Sequence, residues 1–532
     1  MPRTPLANLI AAAWQRADRE MRADSQLIGG VAAVPDPVAD PSRRTFLARA
    51  GLVAAGVTAG SALSDWTDAA HAAPGVPSPR IAIVGAGLAG LSAAYQLKNA
   101  GYLAQVYEAS TRLGGRCWSY NKGEFDAGQV SEHGGELIDQ GHTQVRQLAQ
   151  TLGLTTDNLV TSEPSGTENV NYFFGQKYTY TQATNDLKTI WQQVHSDVSA
   201  ASYPTLYSSY TARGYELDHM SVYDWIEAYV PGGHTSSLGM LLDVAYNIEY
   251  GAETSVQSSL NMLYLLGYSG QGQMRIFGPS NEKYHVRGGN DLLVTELAKR
   301  LAGQITVGAA LTAIARNSDG TYKLTFSNGT SIVADQVILA LPFSLLRKVN
   351  YAKAGFNAIK VKAITSLSMG TNSKLHMQFA SRPWNASGYN GETYSDRGYQ
   401  NSWDVTRAQP GAQGILVNYT GGRVGASFSP ANGTPAERAS TFFSQIAPLM
   451  PTLASEWNGK AFIDYWPGNP WSLGSYAYWK VGEYTSFVGA EREASGNCHF
   501  AGEHTSVDFQ GYLNGAVESG YRAASEIQAA YK

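Results

Sequence analysis

The chain has 532 residues, of which 43% are hydrophobic and 15% charged, and its formal net charge is -4. A chain of this length exceeds one ordinary domain, so we expect two interleaved domains around a sizeable core. The slightly acidic balance, with no basic stripe, argues against a nucleic-acid partner and leaves small molecules as the expected ligands.

The first 72 residues differ in composition from the rest of the chain. A polar, Ala-rich segment leads to Arg43 and Arg44, a mild apolar run broken by glycines follows, and residues 70–72 (Ala-His-Ala) have the form of a cleavage site. This order is typical of a twin-arginine export signal, and the apolar run is too short for a membrane span. We therefore predict a periplasmic or extracellular protein. The alternative is a disordered extension.

The stretch after this segment has the pattern of a dinucleotide-binding turn. An apolar strand, Ile81 to Val84, is followed by three glycines, Gly85, Gly87 and Gly90, which open an apolar helix. The first glycine allows a tight turn, the second lets the backbone approach a pyrophosphate, and the third lets helix and strand pack closely. The bare amides at the start of the helix would then face the phosphates.

A second strand of this unit ends in an acidic residue, Glu108. Its carboxylate is placed to accept hydrogen bonds from an adenosine ribose, and its charge would repel a phosphorylated ribose, which favours FAD or NAD over NADP. Gly115 and Arg116 follow at once and supply another glycine turn with a guanidinium. Because arginine can bind a phosphate through two hydrogen bonds, this turn favours FAD.

The middle of the chain alternates between helical and strand patterns. Residues 140–285 have helical apolar spacing and many tyrosines, which predicts a largely helical insertion. A helix is predicted over Leu292 to Leu301. Short strands are then predicted at Ile305 to Ile314, Tyr322 to Phe326 and Ser331 to Leu339.

The remaining residues predict a second sheet and a return to the first domain. Strands are predicted at Leu375 to Phe379 and Gly414 to Tyr419, and a helix at Pro435 to Met450. Near the C-terminus an apolar strand leads through Gly502 and Glu503 to a helix that begins near Asn514. The fold class is therefore α/β: a dinucleotide-binding domain from residues 73–140, 285–345 and 467–532, and a substrate domain from residues 141–284 and 346–466.

Cys117 and Cys498 are the only cysteines, too few for a disulfide framework. A bridge between them stays open, although buried thiols are the preferred interpretation. No cluster of Cys and His has the spacing of metal ligands, so we expect no structural metal.

Four motifs together resemble the flavin monoamine oxidase and L-amino acid oxidase superfamily. They are the glycine fingerprint, the RLGGR turn at residues 112–116, the HGGE turn at residues 133–136 and FAGEHTSVDFQGYLNGAVESG at residues 500–520. The resemblance covers most of residues 80–530. It implies a flavin-binding domain of the p-hydroxybenzoate hydroxylase type, a substrate domain and a bound FAD, and it is consistent with a homo-oligomer.

The resemblance also implies roles for individual residues. The residues that would bind FAD are Gly85, Gly87, Gly90, Glu108, Gly115, Arg116, Gly134, Gly135, Glu136, Leu311, Trp466, Gly502, Glu503 and Tyr512. The residues implied for catalysis are Lys374, which would hold a water at flavin N5, and the aromatic residues Tyr476, Tyr512 and Trp466. The residues implied for substrate contact are Gly511, Tyr512 and Trp471. Each aromatic residue taken alone has core packing as its commoner explanation.

Two departures from the family pattern bear on cofactor and substrate. Covalent members carry a cysteine before the first cage tyrosine, where this chain has Ser475, so FAD should be bound non-covalently. Many amino acid oxidases follow the second glycine turn with a Met-Arg pair that binds the substrate carboxylate, where this chain has Glu136 and Leu137. Glu136 near the flavin would favour a cationic amine. The arginines left as carboxylate partners, without a ranking, are Arg397, Arg407 and Arg287.

The resemblance implies oxidation of the carbon that bears a neutral amine, hydrolysis of the imine, and reoxidation by oxygen with release of hydrogen peroxide. We expect an L-amino acid with a large apolar or aromatic side chain as the substrate. A primary amine or polyamine is the alternative. Two other classes stay open: a flavoprotein desaturase or isomerase of similar fold, and a flavin-binding module without catalysis.

Overall fold

The computed structural model describes residues 79–267 and 277–531. The twin-arginine motif and the cleavage site predicted at residues 70–72 lie outside the described residues. Within these ranges, no helix has both the length and the apolar character needed to span a bilayer.

A buried parallel sheet forms the centre of the first domain. Its strands, in spatial order, are Cys498–Phe500, Gln336–Leu339, Ile81–Val84, Ala104–Tyr107 and Ile305–Thr306. All four residues of Ile81–Val84 and of Gln336–Leu339 are buried, as expected for central strands covered on both faces. The first two strands predicted from the glycine fingerprint are confirmed.

Two predicted strands are each divided between two sheets, which corrects the sequence-based boundaries. Gly308 has φ +69° and ends the strand Ile305–Thr306, and the next strand begins only at Leu311. Asp335 lies between the strands Ser331–Ala334 and Gln336–Leu339, which belong to different sheets. It accepts hydrogen bonds from the backbone N–H and the guanidinium of Arg80. Hydrophobic alternation continues across both turns, so the pattern alone does not reveal them.

The second sheet has four strands and lies beside the first. Its strands, in spatial order, are Ser331–Ala334, Tyr322–Phe326, Leu311–Arg316 and Asn350–Lys353. Tyr322–Phe326 is at the predicted position, and Leu311–Arg316 contributes Leu311 to the cofactor cleft described below.

The third sheet has seven strands and carries one wall of the candidate site. In spatial order they are Trp457–Tyr465, Ser373–Phe379, Gly414–Thr420, Asn401–Asp404, Tyr389–Ser395, Glu168–Phe173 and Gln176–Tyr178. The predicted strands near 375 and 414 are confirmed with longer bounds. The last two strands come from the region predicted to be largely helical, where they lie between the helices Thr143–Thr151 and Tyr180–Ala201.

One face of this sheet is polar, and we name it the Lys374 face. Lys374 pairs with Tyr419, Tyr419 with Asn401, and Asn401 with Tyr394, so these four side chains share a face. The opposite face carries Leu375, Met377 and Phe379, which pack in an apolar cluster with the helix Pro435–Ile446.

The helices cover the sheets and build most of the region between residues 180 and 266. They are Leu88–Asn99, Thr143–Thr151, Tyr180–Ala201, Ala212–Asp218, Val222–Tyr229, Ser237–Tyr250, Ser259–Leu266, Leu292–Arg300, Phe343–Leu346, Ala358–Ser366, Pro383–Ala386, Gly422–Ala426, Pro435–Ile446, Leu453–Glu456, Tyr484–Phe487 and Leu513–Ala530. The helix predicted to extend to Met450 ends at Ile446.

The helix that follows the glycine turn packs against the last helix of the chain. A Cβ added at Gly520 would lie 2.3 Å from the carbonyl oxygen of Ala89, so only glycine permits this approach. The same contact brings the segment Gly502 to Tyr512, which precedes the last helix, beside the glycine turn. Both ends of the described chain therefore form the cofactor cleft.

Candidate active site

A cleft with about 1090 Å³ of empty space lies beyond the carboxyl ends of the parallel strands, where ligands bind in open α/β sheets. The predicted residues that line it are Gly85, Gly87, Glu108, Gly115, Arg116, Leu311, Trp466, Trp471, Gly502, Glu503, Gly511 and Tyr512. Gly90, Gly134, Gly135, Glu136, Lys374 and Tyr476 are not among the lining residues. The N–H of Gly135 donates to the carbonyl oxygen of Arg116 at 3.1 Å, and the contacts of the other five residues are described below.

The glycines of the first turn differ in what surrounds them. A Cβ added at Gly87 would meet no atom within 4 Å, so the space above this residue is open to a ligand. Gly85 has φ +104°, and a Cβ there would lie 2.7 Å from the carbonyl oxygen of Ala340. At Gly90 a Cβ would lie 1.9 Å from the carbonyl oxygen of Gly85, so this glycine serves the helix–turn contact. The arrangement leaves room for a pyrophosphate at Gly87.

Glu108 closes the far end of the cleft. Its Oε2 accepts a hydrogen bond from the backbone N–H of Ala86 at 2.7 Å, and its Oε1 accepts one from that of Ser110 at 2.9 Å. These bonds fix the carboxylate at the end of its strand. Each carboxylate oxygen has a further lone pair, so Glu108 can still accept from ribose hydroxyls.

Glu503 joins the two predicted cage segments to Arg116. Its Oε1 accepts from Arg116 Nη1 at 2.7 Å and from the backbone N–H of Ala477 at 3.3 Å, and its Oε2 accepts from that of Gly511 at 2.8 Å. Burial alone would raise the pKa of Glu503, but the Arg116 charge and these hydrogen bonds hold it below its usual value. Ala477 and Gly511 are the neighbours of Tyr476 and Tyr512, so this carboxylate sets the positions of both tyrosines.

Lys374 is fully buried and lies on the HGGE turn. Its Nζ donates to the carbonyl oxygens of Glu132 at 3.0 Å and Gly134 at 3.2 Å, and to Glu136 Oε2 at 2.8 Å. The other oxygen of Glu136 accepts from the indole N–H of Trp403 at 2.9 Å. Burial alone would raise the pKa of Glu136, but Lys374 and Trp403 hold it below its usual value. Glu136 is therefore an ion-pair partner of Lys374.

Trp466 and Tyr476 form a small buried cluster beside the same turn. The indole N–H of Trp466 donates to the carbonyl oxygen of His133 at 3.0 Å, and a Cβ at Gly134 would lie 3.2 Å from the Trp466 ring. The Tyr476 hydroxyl donates to the carbonyl oxygen of Ile248 at 3.0 Å. Trp466 and Lys374 thus both bind residues 132–136, and Tyr476 packs with Trp466.

A second cavity, with about 2380 Å³ of empty space including its opening, extends from Tyr512 on the side of the helical region. Tyr512 lines both cavities, and its ring lies edge-on to the His142 ring with centroids 4.7 Å apart. Tyr250 and Asn261 line the second cavity as well. Trp471, which was predicted to contact substrate, is 44% exposed and lines the first cleft instead.

A hydrogen-bonded network that the sequence did not predict supports the HGGE turn. Asp464 contacts His133 Nδ1 at 2.6 Å and His376 Nε2 at 3.0 Å, and His376 lies two residues after Lys374 on the same face. Although burial opposes it, these histidines lower the pKa of Asp464 to about 2. The network fixes the strand that bears Lys374 to the strand of Asp464 and to the turn.

The three candidate arginines differ in their surroundings. Arg287 pairs with Asp157 at 2.6 Å at an exposed position, and the exposed Arg397 donates to the carbonyl oxygen of Gln445 at 3.0 Å. Arg407 is 5% exposed, and its Nε and Nη2 have no hydrogen-bond partner within the described ranges. Of the three candidates, Arg407 has a buried guanidinium with N–H groups left for a ligand.

Cys117 and Cys498 are free, buried thiols, in agreement with the preferred interpretation. Burial raises the pKa of both thiols above the ordinary range, which makes them unreactive at neutral pH. Over the described residues, no group of three or more His, Cys, Asp or Glu side chains is arranged to hold a metal ion.

A family model described as flavin containing amine oxidoreductase matches residues 88–528 of the sequence. The chain belongs to this family. It is therefore a flavin-dependent oxidoreductase of amines or amino acids, and its fold class is the predicted flavin-binding α/β fold.

Individual relatives are distant. An L-amino-acid oxidase of Demansia vestigiata is 25% identical over 470 residues, which cover 85% of this chain and 87% of the relative. A flavin-containing amine oxidase of Danio rerio is 24% identical over 468 residues, covering 85% and 86% of the two chains. The structure of cyclohexylamine oxidase from Brevibacterium oxydans IH-35A superposes with a TM-score of 0.74 at 20% identity, covering 85% of this chain and 99% of that one. The last comparison supports the fold alone.

Proposed function

We propose that this flavin oxidoreductase is an L-amino acid oxidase that binds FAD non-covalently. The buried guanidinium of Arg407, whose Nε and Nη2 have no hydrogen-bond partner among residues 79–267 and 277–531, carries the proposal. An amino acid differs from its decarboxylated amine only by the carboxylate that such a group would bind. A planar guanidinium suits a carboxylate through two parallel hydrogen bonds.

The residues of the cleft fit FAD. The open space at Gly87 suits the pyrophosphate, the Glu108 carboxylate suits the adenosine ribose, and Glu503 suits the ribityl chain. Ser475 is buried, and its hydroxyl donates to Asn372 Oδ1 at 2.6 Å, which supports a non-covalent flavin. When bound, the flavin supplies the electron acceptor for oxidation of the C–N bond and passes the electrons to oxygen, with hydrogen peroxide as the product.

The side chains around the flavin site would position the substrate and exclude water. Tyr476 and Tyr512 form the aromatic walls, which favour a neutral amine in a dry cavity over a hydrated ammonium. Lys374 uses its three N–H groups on the two carbonyl oxygens and on Glu136, so the water that hydrolyses the imine would replace one of these acceptors when it binds the ammonium. No side-chain base is required when the amine is already neutral.

The test compares each amino acid with its decarboxylated amine in a peroxide assay. In Arg407→Met, loss of a charge-assisted contact of roughly 2–5 kcal/mol should lower kcat/KM for the amino acid by about 30-fold or more and leave that for the amine unchanged. Arg423→Met is the matched control, because the Arg423 side chain is 87% exposed. A wild-type preference for the amine would reject the proposal.

A primary amine or polyamine oxidase is the second candidate. It is favoured by the absence of the Met-Arg pair after the HGGE turn and by the similarity to the amine oxidase of Danio rerio. Glu136, which suggested a cation site in the sequence, gives less support, because it already pairs with Lys374.

We also propose export by the twin-arginine route, based on Arg43 and Arg44 and the apolar run after them. This route transports folded proteins, which suits a chain that must bind its cofactor before export. Replacing both arginines with lysine should retain the holoenzyme in the cytoplasm, as measured by cell fractionation. Unchanged export of that variant would reject this route.

A further inference from the structure

Three ionisable side chains, Glu282, Glu392 and Arg407, are buried and have side-chain atoms without hydrogen-bond partners in the part of the chain that the structure describes. Glu282 and Glu392 are each 1% exposed and Arg407 is 5% exposed. In the described residues, neither oxygen of either carboxylate accepts a hydrogen bond, and Arg407 Nε and Nη2 donate none. Leaving such groups unpaired costs several kcal/mol each, so a partner absent from the protein itself is expected to pair them.

Strand register places Glu392 next to the lysine site. Thr393 pairs with Ser402 and Tyr394 with Asn401, which puts Glu392 level with Trp403 and on the same face. Trp403 donates to Glu136, the partner of Lys374. The Trp403 side chain therefore separates Glu392 from Glu136, the partner of Lys374.

Glu282 lies on another segment of the chain, and its carboxyl is close enough to Glu392 and Arg407 for their charges to act on it. Its backbone has φ +45°, an unfavourable conformation for a glutamate, and its N–H donates to Asp139 Oδ1. Asp139 also contacts His142 Nε2 at 3.1 Å, and the His142 ring meets that of Tyr512. Glu282 is thus linked to the cage tyrosine, whereas Glu392 is linked to the lysine.

The three side chains act on one another electrostatically without touching. Burial raises the pKa of Glu282 and of Glu392 well above the usual value, and the Arg407 charge opposes this rise in both. Glu249 adds a further negative influence on Glu282. Within the described residues no hydrogen bond joins the guanidinium to either carboxylate, so each of the three side chains can still pair with a charged group of a ligand.

We propose that Glu282 and Glu392 bind the side-chain cation of the substrate, so that the substrate is a basic L-amino acid such as lysine or ornithine. The inference rests on the proposed function, since it places the substrate carboxylate on Arg407. Such a molecule would pair all three side chains: its carboxylate with the Arg407 guanidinium, and its distal ammonium with the Glu282 and Glu392 carboxylates.

Other substrates would leave one or more of these three side chains unpaired. An apolar or aromatic amino acid would leave both carboxylates unpaired, and a simple amine would leave Arg407 unpaired as well. Sites built to pair a buried polar group can reject analogues that lack the matching group by up to about 10⁴–10⁵-fold. The inference therefore replaces the sequence-based expectation of a large apolar or aromatic side chain with a cationic one.

The experiment compares L-lysine with L-norleucine, which has the same side-chain length without the terminal ammonium. The wild-type holoenzyme should oxidise lysine with a kcat/KM at least about tenfold higher than norleucine. Glu392→Gln and Glu282→Gln should each remove most of this preference, mainly through KM for lysine, and leave norleucine within about twofold of wild type. Glu168→Gln, an exposed carboxylate on a strand of the same sheet, is the control and should change neither substrate.

Two results would overturn the inference: a wild-type preference for norleucine, or an equal fall for both substrates in both glutamine variants. A second pair of substrates separates this failure from failure of the proposed function. If the enzyme oxidises only amines, the proposed function is wrong. Binding of a cation by Glu282 and Glu392 is then tested with 1,5-diaminopentane against n-pentylamine. A preference for the diamine that Glu392→Gln abolishes would support the cation site, and no preference would reject it.

Discussion

The ammonium of Lys374 lies 2.8 Å from the Glu136 carboxylate, and both side chains are almost completely buried. In this pair, Lys374 neutralises the charge of Glu136, the acid that ends the HGGE turn. Because Glu136 is paired, it does not offer a free negative charge that would bind and retain a protonated substrate amine. A neutral amine, the form that loses a hydride, is therefore compatible with this environment.

The first prediction concerns this lysine. Lys374→Met should slow turnover while leaving FAD bound, because the residues that line the dinucleotide cleft do not include Lys374. The substitution also leaves the Glu136 carboxylate buried without a cationic partner, which should lower the free energy of unfolding by about 3–5 kcal/mol. The measurements are kcat, the flavin-to-protein ratio and denaturant unfolding of the same preparations.

A double variant separates stability from chemistry. Lys374→Met combined with Glu136→Gln removes both charges and should recover much of the stability, although turnover stays low. Wild-type turnover in the single variant would exclude Lys374 from the mechanism. Recovery of turnover in the double variant would show that the lysine acts only by pairing Glu136.

The dinucleotide half of the site was predictable because it depends on local sequence. Strand, glycine turn, helix and acidic strand end occupy one short segment, and their physical roles follow from the spacing of Gly85, Gly87 and Glu108. The two strand predictions that joined residues of different sheets failed at Gly308 and Asp335, where a turn interrupts the chain without interrupting the apolar alternation.

The substrate half depends on contacts between residues far apart in sequence. Trp403, Glu282, Glu392 and Asp464 had no signal in the chain beyond strand alternation, since Glu392 acquires meaning only when its strand pairs with that of Trp403. The same holds for Arg407, which sequence alone did not separate from Arg287 and Arg397. Burial and missing hydrogen-bond partners, rather than motif, distinguish it.

The second prediction contrasts two glycines of one turn. In Gly87→Ala the new methyl group meets no protein atom within 4 Å, so the apoprotein should fold normally but bind FAD more weakly, because the methyl group occupies the approach of the pyrophosphate. In Gly90→Ala the methyl group would lie 1.9 Å from the Gly85 carbonyl oxygen, so the protein itself should be destabilised.

The measurements for this pair are the thermal unfolding of the apoproteins and the dissociation constant of FAD by fluorescence quenching. We expect an unchanged unfolding midpoint with a raised dissociation constant for Gly87→Ala, and a lowered midpoint for Gly90→Ala. Unaltered FAD affinity in Gly87→Ala would mean that the pyrophosphate does not pass over this residue.

The third prediction concerns a buried acid beside the second cavity. Burial raises the pKa of Glu491 from 4.5 to about 7, although hydrogen bonds from the Trp479 indole and the Gly489 N–H favour the ionised form. Lys360, which donates to the Glu491 carbonyl oxygen at 2.9 Å, has its own pKa lowered to about 7 by burial.

The sign of the pH effect follows from proton linkage. Between pH 4.5 and about 7 the folded protein holds a proton on Glu491 that the unfolded chain releases, so the stability from this group is complete below 4.5 and lost as pH rises through about 7. The effect amounts to about 3 kcal/mol across the window. The lowered pKa of Lys360 acts in a separate window above about 7, where stability rises with pH.

Glu491→Gln should therefore remove the fall in unfolding free energy between pH 4.5 and about 7 and leave the change above that window in place. The glutamine keeps an oxygen that can accept from Trp479, so packing is preserved. The measurement is denaturant unfolding of both proteins at several pH values in each window. Parallel stability curves for wild type and variant below pH 7 would show that Glu491 is ionised in the folded protein, despite its burial.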